Sequence, residues 1–409
     1  SEPMFGKLDW VTGFFYLNTE IEISILERLD FGFDGVFDPF TIDDVYSYSG
    51  DFGFITNSKP ERDSTSFYGQ GTWNHSDSLR TVFGLRHTKD EVYSAVTNFY
   101  GRSGTDILET DGNKVTGRFV VEKDIDDNTM VYGSFTRGYK PGGSNLTYGR
   151  EDEVAQIVVL PTFQEEIVDA FEVGLKTDLA DGRARLNAAA FFYNYEGLQY
   201  QATDPEVFEG GVGNIPDSEI YGAELELSTF LSDSVILDLR MSWLDTEITA
   251  DHLALDNVES EAATNALLAQ GIGLFSNEVQ IARAGRIQNV RGNELAKTPS
   301  FTGNIALNWT NEQNWGELKG VLQYTYRGGF KHRIFNNSQT DIVPNYDVLD
   351  IMLGFYPSSA ENQHFEIIGK NLFDQDGINA RFTDVFGVGA TGDELIAPRQ
   401  IMLRFVTQF

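Results

Sequence analysis

Cysteine is absent from this 409-residue chain, which excludes both a disulfide scaffold and thiolate metal sites. Proline is scarce, 11 residues against 40 glycines, a balance that suits many turns better than disorder. Basic residues are outnumbered: 30 lysines and arginines face 62 aspartates and glutamates, for a formal charge of −32. Such a chain is a poor partner for nucleic acid, whose phosphates need basic patches. Long apolar runs are missing too. None approaches the roughly 18 residues of a membrane-spanning helix, so only strands are left as a way through a bilayer. Ser1-Glu2-Pro3 has none of the character of a signal peptide, so a secretory leader is expected to be removed or to lie outside this chain.

What the chain has is alternation. Val235, Leu237, Leu239, Met241 and Trp243 fall on one face of a strand, with Asp238, Arg240 and Ser242 on the other. Leu318, Leu322, Tyr324 and Tyr326 oppose Lys319, Gln323, Thr325 and Arg327, and Leu79, Phe83 and Leu85 oppose Arg80 and Arg86. Period two with one apolar and one polar face is the strand signature. About fourteen such segments follow, near 7–17, 65–74, 78–94, 113–123, 128–139, 165–177, 183–201, 217–230, 234–248, 298–310, 315–331, 345–357, 362–373 and 397–409.

The connections alternate as well. Short turns, such as His75-Ser76-Asp77 and Leu231-Ser232-Asp233, take turns with long links near 18–64, 95–112, 140–164, 202–216, 249–297, 332–344 and 374–396. Antiparallel neighbours place successive connections at opposite ends, so all short turns share one rim. That is the pattern of an outer-membrane barrel, with short periplasmic turns and long extracellular loops. A soluble sandwich has no reason to sort its loops by parity. Aromatics gather toward strand ends, at Phe14-Phe15-Tyr16, Phe67-Tyr68 and Phe191-Phe192-Tyr193, where the lipid–water boundary favours them. The chain stops on Ile401, Leu403, Phe405 and Phe409, one apolar face with Thr407 as its exception, consistent with a closing strand that faces lipid.

Several stretches, in order, resemble the C-terminal barrel of TonB-dependent outer-membrane receptors. They are LDWVTGFFYL (8–17), SFYGQGTWNHSDSLRTVFGLRHTKDE (66–91), YGSFTRGYKPGGSN (132–145), FEVGLKTDLADGRARLNAAAFFYNYEGLQ (171–199), GNELAKTPSFTGNIALNW (292–309) and GKNLFD (369–374). The resemblance implies a 22-stranded barrel closed by an N-terminal plug. It implies import of a scarce nutrient, most often a ferric siderophore or similar metal chelate. The energy would come through TonB and its inner-membrane complex, in the outer membrane of a Gram-negative bacterium. The sequence holds no TonB box, no plug and room for only about fourteen strands. Residues 1–409 are therefore expected to be the C-terminal part of a receptor barrel. A free-standing 14-stranded barrel acting as a passive channel or porin is the alternative, and upstream sequence would separate the two.

An outer-membrane lipase or protease is a third possibility, but enzyme motifs are missing. His75, His87, His252, His332 and His364 are scattered, and no HExxH pair or G-x-S-x-G elbow occurs. No enzyme activity, cofactor or resident metal is expected. The candidate ligand contacts are Arg137, Tyr139 and Lys140, where a strand enters a long outer loop and cationic groups would suit an anionic ferric chelate. Against that stands a plainer reading: Gly138, Pro141, Gly142 and Gly143 shape the loop and Arg137 pairs with a neighbouring lumen acid. Inward Arg80, Arg86, Arg240, Arg327, Glu224, Glu226 and Asp238 are expected to form charge ladders. In the 18–64 link, Asp30, Asp34, Asp38, Asp43 and Asp44 sit among Phe31, Phe33, Phe37, Phe40 and Tyr46, read as an acidic, soluble outer surface. The 253–288 stretch is expected to hold one or two short helices.

Overall fold

The computed structural model describes residues 8–29, 52–98, 105–146, 159–203, 210–273, 276–360, 362–383 and 391–407. Fourteen strands run through one antiparallel sheet in strict chain order. They are β1 (Leu8–Glu20), β2 (Phe52–Ser76), β3 (Leu79–Asn98), β4 (Thr105–Asp124), β5 (Thr129–Lys140), β6 (Glu166–Leu179) and β7 (Ala184–Thr203). The second half is β8 (Gly210–Ser232), β9 (Val235–Ile248), β10 (Phe301–Gln313), β11 (Gly316–Arg327), β12 (Tyr346–Pro357), β13 (Gln363–Lys370) and β14 (Gln400–Thr407). A fifteenth, Ile23–Leu29, pairs with the outer end of β2. Each expected segment has its strand, and the two expected helices are present as α1 (Asn257–Leu268) and α2 (Asn277–Ala284).

Register fixes which face meets lipid. Phe135, Phe171, Phe192 and Tyr221 stand side by side across β5 to β8, and Leu353, Ile367 and Leu403 do so across β12 to β14. Leu403 is 82% exposed and Val173 63%, values no soluble wall would leave on a continuous apolar face. The opposite face is polar and cross-linked. Arg80 binds Glu122 and Asp124, each at 2.7 Å, and the Tyr132 hydroxyl donates to Glu172 at 2.6 Å. Arg404 Nε donates to Glu366 at 2.5 Å, and Asn308 to Asp238 at 2.7 Å. Arg240 lies 3.9 Å from Glu226, continuing the expected charge ladder. In hydrocarbon every backbone amide needs an internal partner, and the ladder supplies it for the strands from β2 to β13. β1 and β14 each pair on one side only among the described residues.

Three links expected to be loop carry strand instead. β2 begins at Phe52, β4 at Thr105 and β8 at Gly210, well above the alternating stretches. A tilted strand crosses a bilayer in about 9–11 residues, whereas β3 and β7 each have 20 and β2 has 25. The excess projects outward, where both faces meet water or loops and the apolar–polar signal vanishes. The acidic residues 30–46 and Phe409 lie outside the described residues.

Candidate functional site

Above the membrane band the loops build a small core of their own. Residues Leu253–Leu255 pair with Ile287–Asn289, and α1 and α2 lie between them. Ile215 and Ile248, at the outer ends of β8 and β9, pack with Ala254, Val290, Leu295 and Ile334, all buried. Each of the larger side chains, the isoleucines, Val290 and Leu295, contributes about 1.5–3 kcal/mol when removed from water, enough together to hold the loops in one arrangement.

Arg333 ties that arrangement shut. Its Nη1 donates to Asp256 at 2.6 Å and to Asn257 at 2.9 Å, and its Nε donates to Asp341 at 2.7 Å. Asp256 is also the N-cap of α1, accepting from the Val258 and Glu259 amides. The two carboxylates are 1% and 0% exposed, so one guanidinium is shared between two acids that water does not reach. The residue thus joins the helical loop to the loop after β11.

Between this cluster and the upper ends of β6 and β7 lies a cavity of about 510 Å³. Its walls include Tyr195, Tyr200, Phe335 and Phe382, with Lys297 and His332 among the polar groups. Tyr200 meets His252 edge-on at 5.3 Å and donates or accepts with its Nε2 at 2.8 Å. Burial pushes the Tyr200 hydroxyl well above the usual phenol range, so it stays protonated. His332 is buried and bonds Thr383 through Nε2 at 2.9 Å, while its Nδ1 has no hydrogen-bond partner. Burial first, then the Lys297, Arg333 and Arg381 charges, lowers its pKa to about 4. Among the described residues no group of histidines and carboxylates is arranged to hold a metal ion. The cavity can sequester an aromatic body and offer it a cation.

The three residues singled out in the sequence are placed elsewhere on the rim. Arg137 makes a two-pronged ion pair with Asp169, at 2.6 and 2.5 Å. The pair sits one alternation above Phe135 and Phe171, on the outward face rather than in the lumen. Lys140 is exposed at the end of β5. Tyr139 lines a smaller cavity of about 220 Å³ with Asp90, Glu109, Asp111 and Glu165, where burial and Asp90 raise its hydroxyl pKa. Gly142 is required by close approach: a Cβ there would lie 2.4 Å from the Phe163 carbonyl oxygen. The cavity residues Tyr195, Lys297, His332 and Phe335 come from three separate stretches. No spacing in the chain announces them, because loop folding alone brings them together.

The family model described as TonB dependent receptor-like, beta-barrel matches residues 4–372. The Probable TonB-dependent siderophore receptor PiuA of Acinetobacter baumannii is 27% identical over 168 residues, 41% of this chain and 21% of that protein. Among solved structures, the ferric yersiniabactin uptake receptor FyuA of Yersinia pestis superposes with a TM-score of 0.69 at 17% identity. That match covers 98% of this chain and 51% of FyuA. The siderophore receptor PiuA of Acinetobacter baumannii gives the same TM-score, 0.69, and the same 17% identity, over 98% of this chain and 53% of PiuA. The chain therefore spans about half the length of these solved relatives.

Proposed function

The chain belongs to the TonB-dependent receptor β-barrel family, and from that premise we propose that its protein captures a ferric siderophore or similar metal chelate and imports it with TonB-coupled energy. Its place is the outer membrane of a Gram-negative bacterium, and the family is one of transport receptors. The observation that carries the reading is the cavity of about 510 Å³, set under pre-organised outer loops at the mouth of a lipid-facing wall. The fourteen strands, whose first and last members pair on one side only among the described residues, are 14 of the 22 in the complete barrel, in this reading. The remaining strands, the plug and the segment that engages TonB belong to the rest of the polypeptide. Cargo would bind the outer cavity, the plug would be drawn aside from the periplasm, and the polar lumen would pass the cargo without covalent change. Lys140, exposed at the rim, is assigned a first contact with cargo, and Tyr139 a place in the neighbouring cavity. Arg137, whose charge is taken by Asp169, is left to the rim itself.

Uptake of radioactive iron by cells expressing the full-length protein tests this against a passive channel. Collapse of the proton-motive force should abolish uptake and leave surface binding intact. Flux that survives the collapse would establish the channel instead.

A further inference from the structure

The charge inventory of the outer cavity narrows what it can hold. Lys297 and Arg333 are its bases, and Glu166 is its acid. Arg333 is already committed to Asp256 and Asp341, and Arg381, which acts on His332 from the neighbouring hairpin, to Asp393, so the surroundings carry four carboxylates against three cations. The Glu166 carboxylate is occupied as well, accepting the Gln199 amide at 2.8 Å. Lys297 alone has no acid within ion-pair distance among the described residues. Its backbone is held in the left-handed region at φ 62°, with its amide donating to the Lys331 carbonyl at 2.7 Å. A non-glycine residue stays in that region only when its surroundings dictate it, so the backbone that carries this exposed cation is fixed at the cavity wall, while its side chain is free to follow a ligand. Four aromatic rings and His332, whose buried Nδ1 has no hydrogen-bond partner, line the same cavity.

We infer that the cargo is a metal chelate with an aromatic ligand shell and no more than one net negative charge, and that Lys297 meets that charge. The inference rests on the cavity being the cargo site. A multiply anionic, ring-free chelate would leave the aromatic walls facing polar groups, and would set its second and third charges against Glu166, Asp256 and Asp341 with no cation to spare. An aromatic monoanion matches each feature: rings against Tyr195, Tyr200, Phe335 and Phe382, one charge at Lys297, and a polar edge for His332.

The full-length protein in detergent, dialysed against iron complexes of three kinds, provides the test. The first probe is one ferric ion held by two doubly ionised hydroxyquinoline-carboxylates, an aromatic monoanion. The second is ferric citrate, multiply charged and ring-free, and the third a neutral ferric trihydroxamate. The aromatic monoanion should bind at least about tenfold more tightly than either other complex. Lys297→Gln should weaken it about tenfold while Lys297→Arg preserves it, with the thermal midpoint of both variants unchanged. Ferric citrate or the trihydroxamate binding as tightly as the monoanion overturns the inference and leaves the import reading standing, as does a Lys297→Gln variant with full affinity. Failure of all three complexes to bind removes both.

Discussion

The wall within the hydrocarbon band and the loop assembly above it are held together by different physics. In the wall, the apolar surface faces outward to lipid and the polar surface inward, the reverse of a soluble protein. Its stability comes from a continuous hydrogen-bond ladder, with half-exposed ion pairs such as Arg80 with Glu122 adding little. In the loop assembly the ordinary arrangement returns. Ile215, Ile248, Val290 and Leu295 are buried against each other, and the ion pairs of Arg333 are sealed from water. One part tolerates polar exchange and punishes charge on its outer face. The other tolerates surface change and punishes loss of a buried partner.

The sharpest test removes Arg333. In Arg333→Met, Asp256 and Asp341 stay buried without a counter-ion, which costs about 3–5 kcal/mol. Hydrogen exchange should rise across 253–289 and 330–343 and cargo affinity should fall, while amides of β9 to β12 inside the band keep their protection. Loss of protection in both regions would break the comparison, since it would mean that loops and wall unfold as one. The converse change is Val173→Arg, which sets a charge on the lipid face. Close to the middle of the bilayer it should lower unfolding free energy by about 2–4 kcal/mol in chemical denaturation from vesicles, with the outer cavity still binding cargo.

These two regions were also unequally legible in the sequence. Lipid imposes period two on every spanning strand, so Val235 to Trp243 declared both its conformation and its outward face, and the parity of loop lengths declared the topology. Above the band that constraint lapses. Phe52–Ser64 and Thr105–Gly112 are strands without alternation and read as links. The site was less legible still. Arg137, Tyr139 and Lys140 stood out because they are contiguous and lie in a distinctive Arg-Gly-Tyr-Lys-Pro-Gly-Gly run. The glycines explain that run by chain geometry, at Gly142 through the contact with Phe163, and the charge of Arg137 is taken by Asp169. Lys297 and His332 belong to no motif. A hint was available in the apolar residues Leu253 to Leu255, Val290 and Leu295, too many for a loop that only meets water.

A titration can sharpen the contrast with the smallest perturbation. His332 joins the loop after β11 to the hairpin formed by Ile378–Thr383 and Thr391–Leu395, through its bond to Thr383. The charged groups around it are Arg333 on its own loop, Lys297 before β10, and Arg381 and Asp393 on the hairpin. Burial first, and then three cations against one acid, disfavour a second proton, and the folded pKa falls from 6.5 to about 4. The undocked loop therefore binds more protons than the docked one between these values, and docking strengthens as pH rises. Its contribution is complete above about pH 6.5 and is lost as the pH falls toward 4. At pH 5 the loss amounts to about 2 kcal/mol. Exchange of the 378–383 amides should quicken between pH 7 and pH 5, after correction for the intrinsic rate, and His332→Gln should flatten that dependence. Amides of β12 and β13 inside the band should show no such change, because no titration of His332 reaches the ladder that holds them.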